Sequence, residues 1–292
     1  MQYIAGYTYY LPGPVNIGIY AHGNGKCTVI DTGIDKDSGR RILKALANAN
    51  LQLEQIINTH AHADHFGGNA FLVARTEAEV WAPVFEAQII QAPQLEPFYL
   101  YSAWPIGQLQ TKFLQAPPSQ VNKIITVQDK TPEGLSFLEL PGHSPAQIGV
   151  ITPDGVLFCA DAYFSEETLT NYYLPYFIDI PRAKQTLRML LTEPCYRYIL
   201  PAHGKLAQNP EKLLRLNLSR LNEIDELIWE NLAQPHTRED LLAKLISEKN
   251  LPTNPAQYYL YYSSIGAHLA GMAAEGKIGF SYTRGYMYWQ QI

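Results

Sequence analysis

The sequence predicts an α/β fold, with sheets covered by helices, followed by a small and mostly helical C-terminal module. Three observations lead there. Short apolar runs rich in β-branched and aromatic residues alternate with helical patterns over the first two hundred residues. No glycine-rich phosphate loop follows a strand, which excludes a dinucleotide-binding arrangement. Composition then shifts after His203, where helical patterns and a terminal hairpin follow one another.

In chain order, the strand candidates are Tyr3–Tyr10, Val15–Tyr20, Lys26–Ile30 and Gln55–Asn58. Later come Lys123–Val127, Leu135–Leu140, Ile148–Ile151, Val156–Cys159 and Arg197–Leu200. Each is bounded by Gly, Pro or Asp, as strands are. Helical spacing covers about Ser38–Ala47, Gly68–Ala74, Pro83–Ile90 and Arg182–Leu191. From Pro210 to Leu232, leucine and isoleucine recur at three- and four-residue steps, which is one long amphipathic helix. Pro235 breaks it, and Thr237 caps a second helix holding Leu241, Leu242, Leu245 and Ile246. A third runs from about Pro255 to Glu275 and stops at Gly276, and a hairpin turns near Arg284 and Gly285. This is the order of a winged-helix-like module. We place the boundary near residue 208, giving a domain over 1–208 and a module over 209–292.

Bulk properties narrow the function. The 292 residues suit one large domain or two smaller ones at roughly 150 residues each. No apolar run approaches the roughly 18 residues that cross a bilayer, so no membrane role is expected. The first fourteen residues lack a basic segment followed by an apolar one, so no secretory signal is expected. The three cysteines lie far apart and read as reduced thiols, which points to a cytoplasmic location. A net charge of −5 gives no general reason to bind polyanions.

The chemistry concentrates in INTHAHADHFGGN. It places His60, His62, Asp64 and His65 within six residues, after an apolar strand and before a helix. In an extended stretch His60 and His62 project to one side, and a turn presents Asp64 and His65 to a neighbouring point. Imidazoles with a carboxylate suit zinc, and also iron or manganese. His143, Asp161 and His203 each end an apolar run, as does Asp31. Ordinary loop histidines are the bland alternative. Five of the eight histidines, however, lie in this cluster or beside a glycine just past a strand.

The ordered strings T-H-A-H-A-D-H, P-G-H-S, C-A-D and P-A-H-G resemble the motifs of the metallo-β-lactamase superfamily, over roughly residues 14 to 205. The resemblance implies a four-layer αββα sandwich with the site along one edge of the sheets. It implies one metal on His60, His62 and His143, a second on Asp64, His65 and His203, and Asp161 bridging both. The catalytic carboxylates are then Asp64 and Asp31, the latter matching the family's first motif and orienting the ligand loop. Two divalent cations, zinc or else iron or manganese, would share a water. They would lower its pKa from about 15.7 toward about 7, leaving hydroxide as the nucleophile. Ser144 and Cys159 are read as ordinary neighbours of the motifs, Cys159 as a core residue.

Two irregular stretches, Ala92–Ser119 and Tyr163–Pro181, read as aromatic pocket walls, with Tyr99, Tyr101, Trp104, Tyr163 and Tyr173 as substrate contacts. Covering the core or a dimer interface is the equal alternative for these rings. Lys112, Arg182 and Lys184 are the only bases in or beside them, which favours a modest, partly apolar small molecule. The C-terminal module resembles the winged-helix tail of some members of the superfamily, a ribonuclease subgroup among them. Tyr258, Tyr259, Tyr261 and Tyr262 dominate its third helix, and bases are few, which argues against nucleic acid and for packing or a homodimer. The leading reading is hydrolysis of a small-molecule ester, thioester, lactone or amide. A phosphodiesterase or ribonuclease, and a mononuclear iron dioxygenase of the persulfide type, are the alternatives. His22, His236 and His268 are read as structural or solvated.

Overall fold

The computed structural model describes residues 1–292. A seven-stranded sheet runs in sequence order through β1 (Gln2–Ala5), β2 (Thr8–Leu11), β3 (Ile17–Ala21), β4 (Lys26–Ile30), β5 (Gln52–Ile57), β6 (Glu79–Pro83) and β7 (Lys123–Ile125). The first four strands pair antiparallel and the last four pair parallel. A second sheet holds β8 (Ser136–Glu139), β9 (Ile148–Ile151), β10 (Val156–Ala160) and β11 (Tyr198–Pro201), in the order β11-β10-β9-β8.

Period-two alternation sorts the side chains into layers. Along β10, Val156 and Phe158 join Tyr20, Ile30 and Ile57 of the first sheet between the sheets. Leu157 and Cys159 point the other way, onto Ala183 and Leu187 of α7 (Ile180–Thr192). On the far face of the first sheet, Ile17, Ile19, Cys27 and Val29 pack under Ile42 and Leu46 of α1 (Lys36–Asn48). Helix, sheet, sheet, helix is the layering, as the sequence predicted.

Some expectations need correcting. The single strand over Tyr3–Tyr10 is two, because the chain turns at Gly6 (φ 48°). The turn is tied down where Asp154 accepts from the Tyr7 amide, 2.8 Å. Strand β6 had no prediction; its strand-forming pair, Val80 and Trp81, is flanked by Glu79 and by Ala82 and Pro83, too short a run to mark a strand. The short helices α3 (Asn69–Val73) and α4 (Val84–Gln91) form where expected, while α2 (Ala63–Phe66), α5 (Leu95–Tyr101) and α6 (Glu166–Asn171) form besides. The expected irregular stretches 92–119 and 163–181 therefore contain α5 and α6.

Helices α8 (Glu211–Asn231), α9 (Arg238–Glu248) and α10 (Pro255–Ala274) lead into the hairpin β12 (Ile278–Thr283) and β13 (Tyr286–Gln291). Thr237 accepts from the Asp240 amide, while Asp240 accepts from the Thr237 amide, a reciprocal cap. The hairpin turn puts Arg284 and Gly285 at φ 53° and 82°, where a glycine relieves one of the two strained positions. Helix α8 serves two cores. Leu214 and Leu221 pack with α7, whereas Ile224 and Ile228 pack with α9 and α10. We propose a division near residue 208, just ahead of this shared helix. No helix is long and apolar enough to cross a membrane.

Candidate metal centre

The C-terminal ends of the parallel strands β4 and β5 set the site. Asp31 follows β4, and the segment Asn58–His62 follows β5. Its path is fixed by buried polar groups: Thr32 and Asn69 bond at 2.7 Å, and Asn69 donates to Asn58 at 2.7 Å. The Thr32 amide donates to the His65 carbonyl at 2.7 Å. Gly67 and Gly68 let this loop lie against its neighbour. A Cβ on either would stand 2.0 Å from the Ile34 carbonyl oxygen or 2.4 Å from that of Thr32.

The seven predicted ligands converge as two groups. Ligand atoms of His60, His62, His143 and Asp161 lie within 4.8 Å of one another, as do those of Asp64, His65 and His203. Asp161 Oδ2 stands between them, 3.2 Å from His143 Nε2 and 3.6 Å from both His65 Nε2 and His203 Nε2. Its backbone is aimed by Ala160, which takes a left-handed φ of 50° at a bulge in β10. An alanine held there is strained.

Outer partners settle which nitrogen of each ring faces inward. Nδ1 of His65 donates to Asp31 Oδ2 (2.7 Å), that of His143 to the Tyr176 carbonyl (2.9 Å) and that of His203 to the Pro14 carbonyl (2.8 Å). Asp31 Oδ2 also accepts from the Thr59 hydroxyl, whose oxygen in turn accepts from His60 Nδ1 at 3.1 Å. The Nε2 atoms of these four rings therefore all face the centre, as lone pairs wherever the ring is neutral. His62 presents Nδ1 instead, 2.8 Å from His143 Nε2 and 3.1 Å from His60 Nε2. Buried His65 Nε2 and Asp161 Oδ1 have no hydrogen-bond partner. Converging lone pairs and orphaned acceptors repel unless a proton or a cation lies among them, so this donor set fits divalent metal ions.

Asp31 braces the loop: it accepts from the Thr59 amide (2.9 Å), the Thr59 hydroxyl and His65. Sequence reasoning missed a second brace. Glu86 on α4, 1% exposed, accepts from the Ala61 amide (2.9 Å), the Ser144 hydroxyl (2.8 Å) and the Ala146 amide (2.9 Å), tying the two ligand loops together. Burial raises its carboxyl, against the pull of those hydrogen bonds. Ser144 is thereby a structural donor.

Electrostatics divide the centre. Burial, then neighbouring His143, brings His62 down to about 3, and His60 falls well below the usual range for burial and the adjoining His65. Asp64 would be raised by burial, yet His65 and His203 bring it down to about 2. His203 rises to about 9 against burial, through Asp161 and Asp64. Access divides it too. His60 and His65 are fully enclosed, while the Asp64 and His203 side chains are 32% and 29% exposed. His203 lines a groove of about 830 Å³, with Pro14, Ser165, Thr168, Lys205 and Lys212 on its walls.

The predicted substrate tyrosines are dispersed. Tyr99 stands by Tyr176 and Glu96 near the centre, and Trp104 is 72% exposed. Tyr163, though packed in the layer between β10 and α7, also lines the groove beside His203. Tyr101 packs edge-on against Tyr259 (5.2 Å), and Tyr173 donates to Glu223 under Arg220, so both bind the C-terminal helices. Of the other histidines, His22 holds Thr28 and Glu54, His236 pairs through its backbone with Trp289, and His268 is buried on Asp225.

The fold and this donor set define an αββα protein whose clustered histidines and aspartates could hold metal ions. The sequence profile described as the metallo-beta-lactamase superfamily matches residues 10–203, and the chain belongs to that superfamily. It is 32% identical over 138 residues to a hydroxyacylglutathione hydrolase of Albidiferax ferrireducens, covering 45% of this chain and 43% of that one. The chain thus spans under half the length of that relative. It is 25% identical over 273 residues to the beta-lactamase-like protein 2 homolog of Drosophila melanogaster, covering 90% and 84% of the two chains. Among solved structures, a metallo-beta-lactamase family protein of Thermus thermophilus superposes with TM-score 0.75 at 19% identity, over 98% of this chain and 99% of that one.

Proposed function

We propose that this chain is a dinuclear metal-dependent hydrolase of a small-molecule ester, thioester, lactone or amide. One observation carries the reading: Asp161 Oδ2 lies between two groups of inward-facing lone pairs. His60, His62 and His143 would hold one cation, Asp64, His65 and His203 the other, and Asp161 both. Such cations supply Lewis acidity and bring the pKa of water toward about 7. The chain's own groups do the rest. Asp31 and Glu86 hold the two ligand loops in place, Asp64 and His203 are the part-exposed members of the set, and His203 opens on the groove. Relatives bearing the name hydroxyacylglutathione hydrolase favour a thioester within this class.

Elemental analysis of the purified protein tests the reading, beside His60→Ala and Asp161→Ala. About two zinc or manganese per chain, reduced in both variants, with turnover of an ester or thioester panel, is expected. No metal after reconstitution sinks it, and one iron per chain with oxygen uptake points to the dioxygenase instead. Against phosphodiester substrates, Lys277 is paired with Glu275 and the hairpin face is aromatic rather than basic. Exposed Phe280, Tyr282 and Tyr286 on that hairpin favour a homodimer, which a monomeric mass by light scattering would remove.

A further inference from the structure

Every inward-facing histidine but one has a firm outer partner. The exception is His62. Its outer nitrogen, Nε2, faces Glu96 Oε1 at 3.9 Å, too far for a hydrogen bond. Glu96 is 4% exposed, its carboxyl takes part in no hydrogen bond, and His62 is the one basic group within 4 Å of it. A buried carboxyl without a donor is costly, so the position calls for an explanation.

The inner side of His62 supplies one. Two nitrogens bound to a single tetrahedral zinc at 2.0–2.1 Å stand about 3.3 Å apart. His62 Nδ1 lies 2.8 Å from His143 Nε2 and 3.1 Å from His60 Nε2, closer than that. Seating a cation there requires these nitrogens to separate by roughly 0.2–0.5 Å, and Glu96 stands on the outward side of His62. Helix α5, which carries Glu96, is held from the other side by the C-terminal module. Leu100 packs with Tyr259 and Leu260 of α10, and Tyr101 lies edge-on to Tyr259.

We propose that Glu96 is a positioning residue that accepts a hydrogen bond from His62 Nε2 when the centre is loaded, and that α10 holds it in place for this. The C-terminal module thereby supports the metal centre without touching a cation. The inference rests on the reading of His62 as a ligand.

Cobalt(II) titration of the full chain after chelator dialysis tests it, with Glu96→Ala, Glu96→Gln and Tyr259→Ala alongside and apo-state melting as a folding control. Glu96→Ala is expected to weaken one cobalt per chain by 10–100-fold, the usual cost of losing an outer partner of a ligand, and to alter its visible absorption. Glu96→Gln keeps an acceptor oxygen and restores both to within a few-fold. Tyr259→Ala weakens the same cobalt, by less than Glu96→Ala. Wild-type affinity and spectrum in Glu96→Ala, or a Gln variant as impaired as the Ala one, overturns the proposal. Unchanged affinity in Tyr259→Ala overturns the part given to the C-terminal module. Failure of the wild-type chain to bind cobalt at all would instead overturn the metal centre itself.

Discussion

The two halves of the metal centre are built to different plans. Around His60, His62 and His143 the rings are enclosed, held uncharged where burial depresses His60 and His62, and braced by backbone groups and Glu86. Around Asp64, His65 and His203 the groups are ionised against one another, two of the three side chains are part-exposed, and His203 lines the groove. The first plan favours retention of an ion, since neutral imidazoles need lose nothing before binding. The second favours exchange and access, because a cation there must displace protons and meets whatever enters from the groove.

The sharpest way to break the contrast is at the shared atom. Asp161→Ala removes the oxygen common to both halves, so both cations should be lost and turnover should fall by about 10³-fold or more, several kcal/mol at 1.36 kcal/mol per decade. Retention of one ion at wild-type affinity would show that the halves are independent. Next in size is Asp31→Asn, which offers the Thr59 and His65 donors only one carbonyl oxygen. It should weaken the Asp64 half about 10–100-fold, through His65 directly, and the other half by less, through Thr59 and His60, read by metal competition with a chromophoric chelator. Equal losses in both halves would contradict the division.

Protons give a third test. His203 lies near 9 and His65 well above its ordinary value, so both carry protons at neutral pH that a cation must expel. Affinity of that half should rise with pH, up to about tenfold per unit per proton, with the share due to His203 levelling off above about 9. His62, near 3, is already neutral, so its half should be flat over the same range. Calorimetry in buffers of differing ionisation enthalpy counts the protons released. The smallest effect is expected from Ala160→Gly. Relief of the left-handed strain, of order 1–3 kcal/mol, is offset by about 0.4–1 kcal/mol of added chain entropy, so stability to denaturant should rise by about 1 kcal/mol. A loss would show that Ala160 is not strained.

The legible part of this centre was local or periodic. His60 to His65 are written within six residues, and His143, Asp161 and His203 each follow a strand whose apolar pattern marks its end. Capping residues likewise announced the C-terminal helices, down to Thr237 and Gly276. What escaped was tertiary. Glu86 and Glu96 are lone acids in short helices, and nothing in their neighbourhood marks them as inward-facing. The carbonyls of Tyr176 and Pro14 carry no side-chain signature whatever. Aromatic loops looked like pocket walls because composition reports that a ring needs covering, not what covers it. For Tyr101 and Tyr173 the cover is the C-terminal helices.

One contact bears on the order in which the molecule is made. His203 is oriented by the carbonyl of Pro14, 189 residues earlier, and Asn16 bonds the Pro201 carbonyl nearby. Contacts this distant in sequence form late, because the loop between them must close first. His65 and His203 are 138 positions apart (203 − 65), about 7–28 s of synthesis at 5–20 residues per second. Early in that interval a nascent chain displays His60, His62, Asp64 and His65 alone; His143 and Asp161 then join the first half, and His203 completes the second only at its end. The ribosome-bound chain is therefore a weak, open chelator before it is a folded one, and which metal it meets first is a matter of timing as well as affinity.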